Sequence, residues 1–207
     1  SPELLVKDGL LSHNDLAPYR LPSHDRVDYA EAERVKEELF EKAFEAFNSE
    51  KGAHLQAGYQ QFCKQEEAWL ADFALYRVLK KVHEGQPWFN WPEEYKLRDA
   101  EALQSLVAEH ERELNKAKWL QFMFSKQWHS LKEHCNAKGI QFVGDLPFYV
   151  SYDSADVWAH RHLFALDEEG NATGMAGVPP DAFSDDGQLW GMPVFNWEVH
   201  KQEGYSW

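Results

Sequence analysis

The chain has 207 residues, of which 43% are hydrophobic and 27% charged, a balance typical of globular proteins. Its net charge of -14 argues against a nucleic-acid partner, because proteins draw affinity for phosphate from clustered Lys and Arg. No apolar run approaches the length of a membrane span, and the opening Ser-Pro-Glu-Leu-Leu has no features of a secretory leader. We therefore expect no membrane contact and a cytoplasmic location.

Residues 1–27 carry Pro2, Pro18 and Pro22, which break any long helix, and they form a predicted connecting segment. Asp28 is a suitable N-cap for a helix that runs to about Asn48. Its apolar residues recur at helical spacing and predict one buried face, made of Val35, Leu39, Ala43, Phe44 and Phe47.

A second predicted helix runs from Tyr59 to Val82 with a broad apolar stripe. Pro87 and Pro92 then exclude one regular helix through the next segment. A third helix is predicted after Asp99, with Ala102, Leu103, Leu106 and Val107 on one side, and a fourth from Arg112 to Lys138, with Gly139 as its C-cap. Cys63 and Cys135 lie in these helical patterns without metal-type spacing, so both are predicted to be buried free thiols.

The run Ile140–Gly144 is predicted to be a strand that ends at Asp145. A helix, a capping glycine and an apolar strand that ends in a carboxylate are typical of α/β units, and catalytic groups of α/β barrels lie at the C-terminal ends of strands. The predicted fold class is α/β, with a mostly helical inserted subdomain and a long active-site loop. Its parts are 1–27, the connecting segment; 28–138, the helical insertion and barrel helices; and 139–207, the strand and the substrate-binding loop region.

Residues 151–207 combine turn formers with many aromatic side chains, unlike disordered segments, and we interpret them as an ordered loop that faces a ligand. Aromatic planes with carboxylates and amides suit a sugar, which has an apolar ring face and hydroxyl groups. Trp158, Trp190 and Trp197 could equally hold an irregular loop to its scaffold. Spacing alone selects no catalytic pair from the carboxylates Asp145, Asp153, Asp156, Asp167, Asp181, Asp185 and Asp186.

Four motifs resemble those of the amylomaltase family of 4-alpha-glucanotransferases, also called disproportionating enzymes. They are Gly-Asp-Leu-Pro-Phe-Tyr-Val at 144–150, Asp-Ser-Ala-Asp-Val-Trp-Ala at 153–159, Ala-Gly-Val-Pro-Pro-Asp at 176–181 and Gly-Gln-Leu-Trp-Gly-Met-Pro at 187–193. Upstream, residues 67–75 and 86–92 resemble the helical insertion of that family, so the likeness covers nearly the whole chain.

The resemblance implies a (β/α)8 barrel that cleaves α-1,4-glucans through a covalent glucosyl-enzyme and passes the glucan to the 4-hydroxyl of another sugar. It implies malto-oligosaccharides or glucans derived from starch or glycogen as partners, and neither a cofactor nor a metal. Asp145 matches a supporting active-site residue, and the other implied positions are the loop Gly177, Val178, Pro179 and Pro180, with Asp181, Phe183, Gln188 and Trp190 as substrate contacts. Ala182 and Met192 depart from the residues frequent in that family.

The resemblance also implies that the catalytic carboxylates lie beyond Trp207 and that the opening barrel strand lies before Ser1. We therefore expect an internal fragment that is inactive without the remainder of the parent chain. One alternative is a stand-alone glucan-binding module with Trp158, Phe183 and Trp190 as a stacking platform. Another is a metal-dependent hydrolase built on His160, His162 and neighbouring aspartates, although helical geometry would direct these imidazoles to different faces.

Overall fold

The computed structural model describes residues 1–19 and 26–207, so Pro22 lies outside the described residues. In the described residues the α-helices and strands are, in chain order, α1 (Pro2–Lys7), α2 (His13–Leu16), α3 (Tyr29–Phe47), α4 (Ala53–Gln65), α5 (Glu67–Val82), α6 (Glu93–Lys96), α7 (Ala100–Glu109), α8 (Glu111–Asn136), α9 (Ala155–Ala159), β1 (Met175–Val178), β2 (Gln188–Pro193) and α10 (Trp197–Gln202). Short 3-10 helices lie at Ala17–Tyr19, Glu50–Gly52, Trp88–Asn90 and Arg161–Leu163. None of the helices in the described part is long and apolar enough to span a membrane.

The chain forms two compact units. Unit 1 comprises residues 1–68 and 118–142, and unit 2 comprises residues 69–117 and 143–207. These two units are defined by contacts in space. The division along the sequence into 1–27, 28–138 and 139–207 stays a prediction.

Unit 1 has an aromatic core. The Trp119 ring lies 5.4 Å from that of Phe44 and 5.8 Å from that of Phe47, and the Phe47 ring meets Tyr59 edge-on at 5.3 Å. Leu5, Leu10 and Leu11 are also buried, so the segment predicted as a connection contributes to the core.

The structure confirms the helix predicted after Asp28, which is α3. The Asp28 carboxylate accepts a hydrogen bond of 3.0 Å from the backbone N–H of Glu31, which satisfies an otherwise unpaired donor of the first turn. All five residues of the predicted face are buried.

The helix predicted from Tyr59 to Val82 is wrong as a single element, because the chain breaks at Glu66 between α4 and α5. Leu55 and Phe62 of α4 are buried in unit 1, whereas Tyr76 and Leu79 of α5 belong to the core of unit 2. The broad apolar stripe is therefore two stripes, and the break lets each helix bury its own.

The third and fourth helices are confirmed with small differences. The Asp99 side chain caps α7, but Val107 is exposed while Leu106 is buried. Beyond α8, Gly139 has a φ of 76°, and the N–H groups of Gly139 and Ile140 donate to the carbonyls of Asn136 and Cys135. This is the Schellman termination that a glycine at that position favours. Both cysteines are free, and both are only partly buried.

The predicted strand Ile140–Gly144 is absent. Residues 140–148 have no regular structure and expose Ile140, Phe142, Val143, Leu146 and Phe148. A strand needs a neighbour for its backbone hydrogen bonds, and the described residues offer this segment none. The one sheet in the described ranges is the antiparallel pair β1–β2.

Candidate functional site

The hairpin of β1 and β2 presents most of the residues predicted to contact substrate. Gly177 pairs with Leu189 and Val178 with Gln188, and the register shifts between Met175 and Gly177. A Cβ atom at Gly177 would lie 2.3 Å from the backbone oxygen of Gln188, so the close approach of the strands requires glycine here.

Residues 179–187 connect the two strands, and Asp181 organises this connection. The Asp181 carboxylate accepts hydrogen bonds from the backbone N–H groups of Phe183 (2.8 Å) and Ser184 (2.9 Å). Its own N–H donates to the Ser184 carbonyl at 3.0 Å. Asp side chains stabilise turns in this way, so Asp181 fixes the backbone that carries Phe183.

The turn leaves the Phe183 ring in solvent, 94% exposed. Pro179 and Pro180 are also exposed. A large apolar ring held outward on an ordered turn provides a flat surface for an apolar ligand face.

Trp190 lies on β2 and is fixed from two directions. Its Nε1–H donates to Oε1 of Gln188 at 3.0 Å, and its ring meets Tyr149 edge-on with centroids 6.1 Å apart. The indole remains 40% exposed. Gln188 and Trp190, predicted separately as contacts, are thus brought together.

Asp145 lies in the exposed segment 140–148 and makes no hydrogen bond or ion pair with the described residues. The hairpin residues and Asp145 are therefore not joined by direct contacts here.

Trp158 is fully buried, with its Nε1–H donating to the Tyr95 carbonyl at 2.9 Å and the Arg98 guanidinium 4.2 Å from its ring centre. It packs in the core of unit 2 with Trp88, Trp91, Tyr76 and Leu163. Trp158 as part of a stacking platform is therefore wrong: both the face and the polar edge of the indole are occupied by protein.

Asp153 is the most extensively bonded carboxylate of unit 2. Its oxygens accept hydrogen bonds from the Tyr76 hydroxyl (2.7 Å), the Lys80 ammonium (2.7 Å) and the Trp88 backbone N–H (3.1 Å). Burial would raise the pKa of Asp153, but these three donors outweigh burial and lower it. Burial, followed by the hydrogen bond to Asp153, raises the pKa of Tyr76. Asp153 is therefore a structural anchor.

The remaining candidate carboxylates are on the surface. Asp167 closes a turn by accepting from the N–H and the side-chain amide of Asn171, and hydrogen bonding to Asn171 lowers its pKa. Asp156, Asp185 and Asp186 are exposed. No group of three side chains that could hold a metal ion occurs in residues 1–19 or 26–207. Nε2 of His162, one of the two histidines considered as metal ligands, lies 3.2 Å from a carboxylate oxygen of Glu203.

Sequence reasoning missed Tyr149 as an important position and named Asp153 only as one of seven candidate carboxylates. Both lie inside the motifs at 144–150 and 153–159, but residue type alone does not show that Tyr149 meets Trp190. The sequence therefore offered no local signal for the contact between Tyr149 and Trp190.

Comparison with solved structures identifies the architecture. The chain superimposes on the amylomaltase from Streptococcus agalactiae in complex with acarbose with a TM-score of 0.92, at 36% sequence identity. The match covers all of this chain and 42% of that protein.

Comparison of sequences gives the family. The family model described as 4-alpha-glucanotransferase matches residues 1–207, and the chain belongs to that family. Relatives named 4-alpha-glucanotransferase include those of Aquifex aeolicus, 42% identical, and Synechocystis, 38% identical. The chain is also 37% identical to the chloroplastic/amyloplastic 4-alpha-glucanotransferase of Solanum tuberosum. All of this chain matches these three relatives, but it spans only 40%, 42% and 36% of their respective lengths.

Proposed function

We propose that this chain forms the acceptor-side part of a 4-alpha-glucanotransferase that moves α-1,4-glucan segments to the 4-hydroxyl of an acceptor sugar. The observation that carries the proposal is the β1–β2 hairpin, which holds Phe183 and the Gln188–Trp190 pair outward in a chain of this family. The reaction would be a retaining double displacement, with a glucosyl-enzyme formed on one carboxylate while a second acts as acid and then base.

Each predicted contact has a role that its geometry permits. Trp190 would stack on an apolar sugar face while Gln188 holds the indole edge, and Phe183 would cover the acceptor. Asp181 orders the turn of Phe183 and retains carboxylate lone pairs for sugar hydroxyl groups. Residues 177–180 shape the entry to this turn.

The catalytic nucleophile and acid/base belong, in this proposal, to parts of the enzyme outside these 207 residues. Two of the carboxylates present, Asp153 and Asp167, are engaged in structural hydrogen bonds. Asp145 would support the active site from the end of a barrel strand. This chain alone is therefore proposed to be inactive.

The same reasoning assigns the segment 140–148 to a parallel barrel. Its apolar side chains are exposed and its backbone has no strand partner in the described ranges. Pairing with strands from the remainder of the enzyme would bury these side chains and satisfy the backbone. The chain would then be one part of a (β/α)8 barrel.

The proposed substrates are malto-oligosaccharides and glucans derived from starch or glycogen. The solved amylomaltase is in complex with acarbose, and the potato relative is named chloroplastic/amyloplastic. The proposed compartment is accordingly the cytoplasm, or the plastid stroma in a plant.

The test is disproportionation of maltotriose, followed as glucose release and as longer maltodextrins. It compares this 207-residue chain with a protein in which the same sequence lies within the full family length. We expect activity only in the longer protein. Turnover by the short chain would place the catalytic pair among its own carboxylates, whereas acarbose binding by the short chain without turnover would favour a glucan-binding module.

A further inference from the structure

Trp190 can act as a stacking surface only if its plane is held before the sugar arrives. A side chain that is ordered on binding loses rotamer freedom, and that loss weakens the complex. The hydrogen bond to Gln188 fixes only one edge of the indole, since rotation about the Nε1–H direction would still tilt the ring. A second contact is needed to set the plane.

Tyr149 supplies this contact. Its ring meets Trp190 at an interplanar angle of 61° with centroids 6.1 Å apart, an edge-to-face arrangement. On its other side, Tyr149 stacks on Phe195 at 14° and 5.6 Å. The Tyr149 ring therefore lies between the indole of Trp190 and the ring of Phe195.

The backbone that carries Tyr149 is anchored a few residues further on. The Tyr152 carbonyl accepts from Nε1–H of the buried Trp88 at 2.7 Å, and the Tyr152 hydroxyl donates to the Gly170 carbonyl at 2.5 Å. Asp153 adds its three hydrogen bonds to α5 and the Trp88 backbone. The backbone of Phe195 is held as well, because it forms an isolated antiparallel β-bridge with Phe164, which is buried in the core.

We infer that Tyr149 is a positioning residue that fixes the plane of Trp190 and thereby sets affinity for the glucan. The inference rests on the proposed function. It assigns Tyr149 no contact with the reacting atoms, so its removal should weaken substrate binding and leave the chemical step nearly unchanged.

The test uses the full-length enzyme and the steady-state kinetics of maltotriose disproportionation. Tyr149→Ala should raise KM roughly three- to tenfold, the range expected for loss of one aromatic pair, and change kcat by less than about twofold. Tyr149→Phe retains both ring contacts and should restore KM to within about twofold of wild type. Phe73→Ala is the matched control: Phe73 is also half-buried in unit 2 and meets Trp69 edge-on at 5.8 Å, away from the residues that hold Tyr149 and Trp190.

A double-mutant cycle separates positioning from general loss of packing. In a Trp190→Ala background, Tyr149→Ala should add less than about twofold to KM, since the indole it positions is gone. Equal effects in both backgrounds, or an equal rise in KM in Phe73→Ala, would overturn the inference and leave the proposed function standing. A wild-type enzyme that neither disproportionates maltotriose nor binds acarbose in calorimetry would overturn the proposed function and this inference together.

Discussion

Two groups of aromatic side chains within unit 2 look alike in the sequence and differ in the structure. Trp88 and Trp158 are fully buried, and each donates its indole N–H to a carbonyl of the core, Tyr152 and Tyr95 respectively. Trp190 and Phe183 lie on the hairpin with large exposed surfaces, and the Trp190 N–H is bound by a side chain on the same strand. The first group supports the fold, and the second is available to a ligand.

The comparison shows that the partner of the indole N–H distinguishes the two roles. Trp88 and Trp158 donate to carbonyls that are 64 and 63 residues away in the sequence, so other segments of unit 2 enclose each indole, and losing these bonds would leave a buried N–H unsatisfied at a cost in free energy. The Trp190 N–H instead donates to Gln188 on the same strand, so the face of the indole can remain exposed to solvent. Substitutions in the two groups should therefore change different measurements.

The largest expected effect is that of Trp158→Ala on stability. Loss of a fully buried indole should lower the free energy of unfolding by about 3–5 kcal/mol, whereas Trp190→Ala should lower it by no more than about 1.5 kcal/mol, the range expected for loss of one aromatic pair. Urea unfolding followed by circular dichroism gives both values. Equal destabilisation by the two substitutions would remove the distinction between the groups.

Asp153→Ala tests the anchor that joins the 149–153 segment to the buried tryptophans. The loss of three hydrogen bonds, one of them to Lys80, should lower the free energy of unfolding by about 2–3 kcal/mol. Asp185→Ala is the matched control, because Asp185 is an exposed aspartate of the hairpin connection. A loss in Asp153→Ala no larger than in Asp185→Ala would contradict the anchoring role.

The same anchor has a pH dependence. Because the folded state lowers the pKa of Asp153, its contribution is complete above the ordinary value of 3.8 and is lost as the pH falls through the lower, folded-state value. The free energy of unfolding of Asp153→Ala should therefore fall less steeply below that pH than the free energy of unfolding of the wild type.

Trp190→Ala should reduce kcat/KM of the full-length enzyme for maltotriose by roughly five- to thirtyfold, or about 1–2 kcal/mol of lost apolar contact. Trp69→Ala is a matched control, since Trp69 is 39% exposed and meets Phe73 edge-on, but lies on α5 rather than on the hairpin. Unchanged kinetics in Trp190→Ala would assign the exposed indole no part in glucan use.

The smallest expected effect concerns His83, which packs between Trp91 and Tyr95 in the buried group. Burial lowers the pKa of His83 below 6.5, so its share of stability is present above that pH and lost as the pH falls through the lower, folded-state pKa. His83→Phe should abolish this part of the pH dependence and change stability at pH 8 by less than about 1 kcal/mol. Parallel pH profiles for the two proteins would contradict the prediction.

Local rules predicted the helices best. Asp28, Asp99 and Gly139 act where capping chemistry places them, since the responsible atoms lie within one turn. The break at Glu66 was missed because no glycine or proline marks it, and its cause is that the adjoining helices belong to different cores. The predicted Ile140–Gly144 strand is absent, because a strand needs a neighbour and local sequence does not show whether one is present.

For the candidate site, too, the sequence predicts some residues, and it misses those whose role depends on contacts distant in the chain. Sequence reasoning named Asp181, Phe183, Gln188 and Trp190 through the resemblance, and the structure places all four on one hairpin. It could not separate Trp158 from Trp190, because burial is decided by contacts with Tyr95 and Arg98, distant in sequence. Tyr149 was missed for the same reason.

The order in which the two units use the chain has a consequence for synthesis on the ribosome. Residues 1–68 can complete their core only after 118–142 emerge, and residues 69–117 must wait for 143–207. Unit 1 is thus the first that can close, while Tyr76 and Lys80 remain without their carboxylate partner until Asp153 leaves the exit tunnel. At typical translation rates of roughly 5–20 residues per second, α5 waits several seconds for Asp153 and Trp158, an interval in which a chaperone that recognises apolar helices would have access to the part of its apolar stripe that is still uncovered.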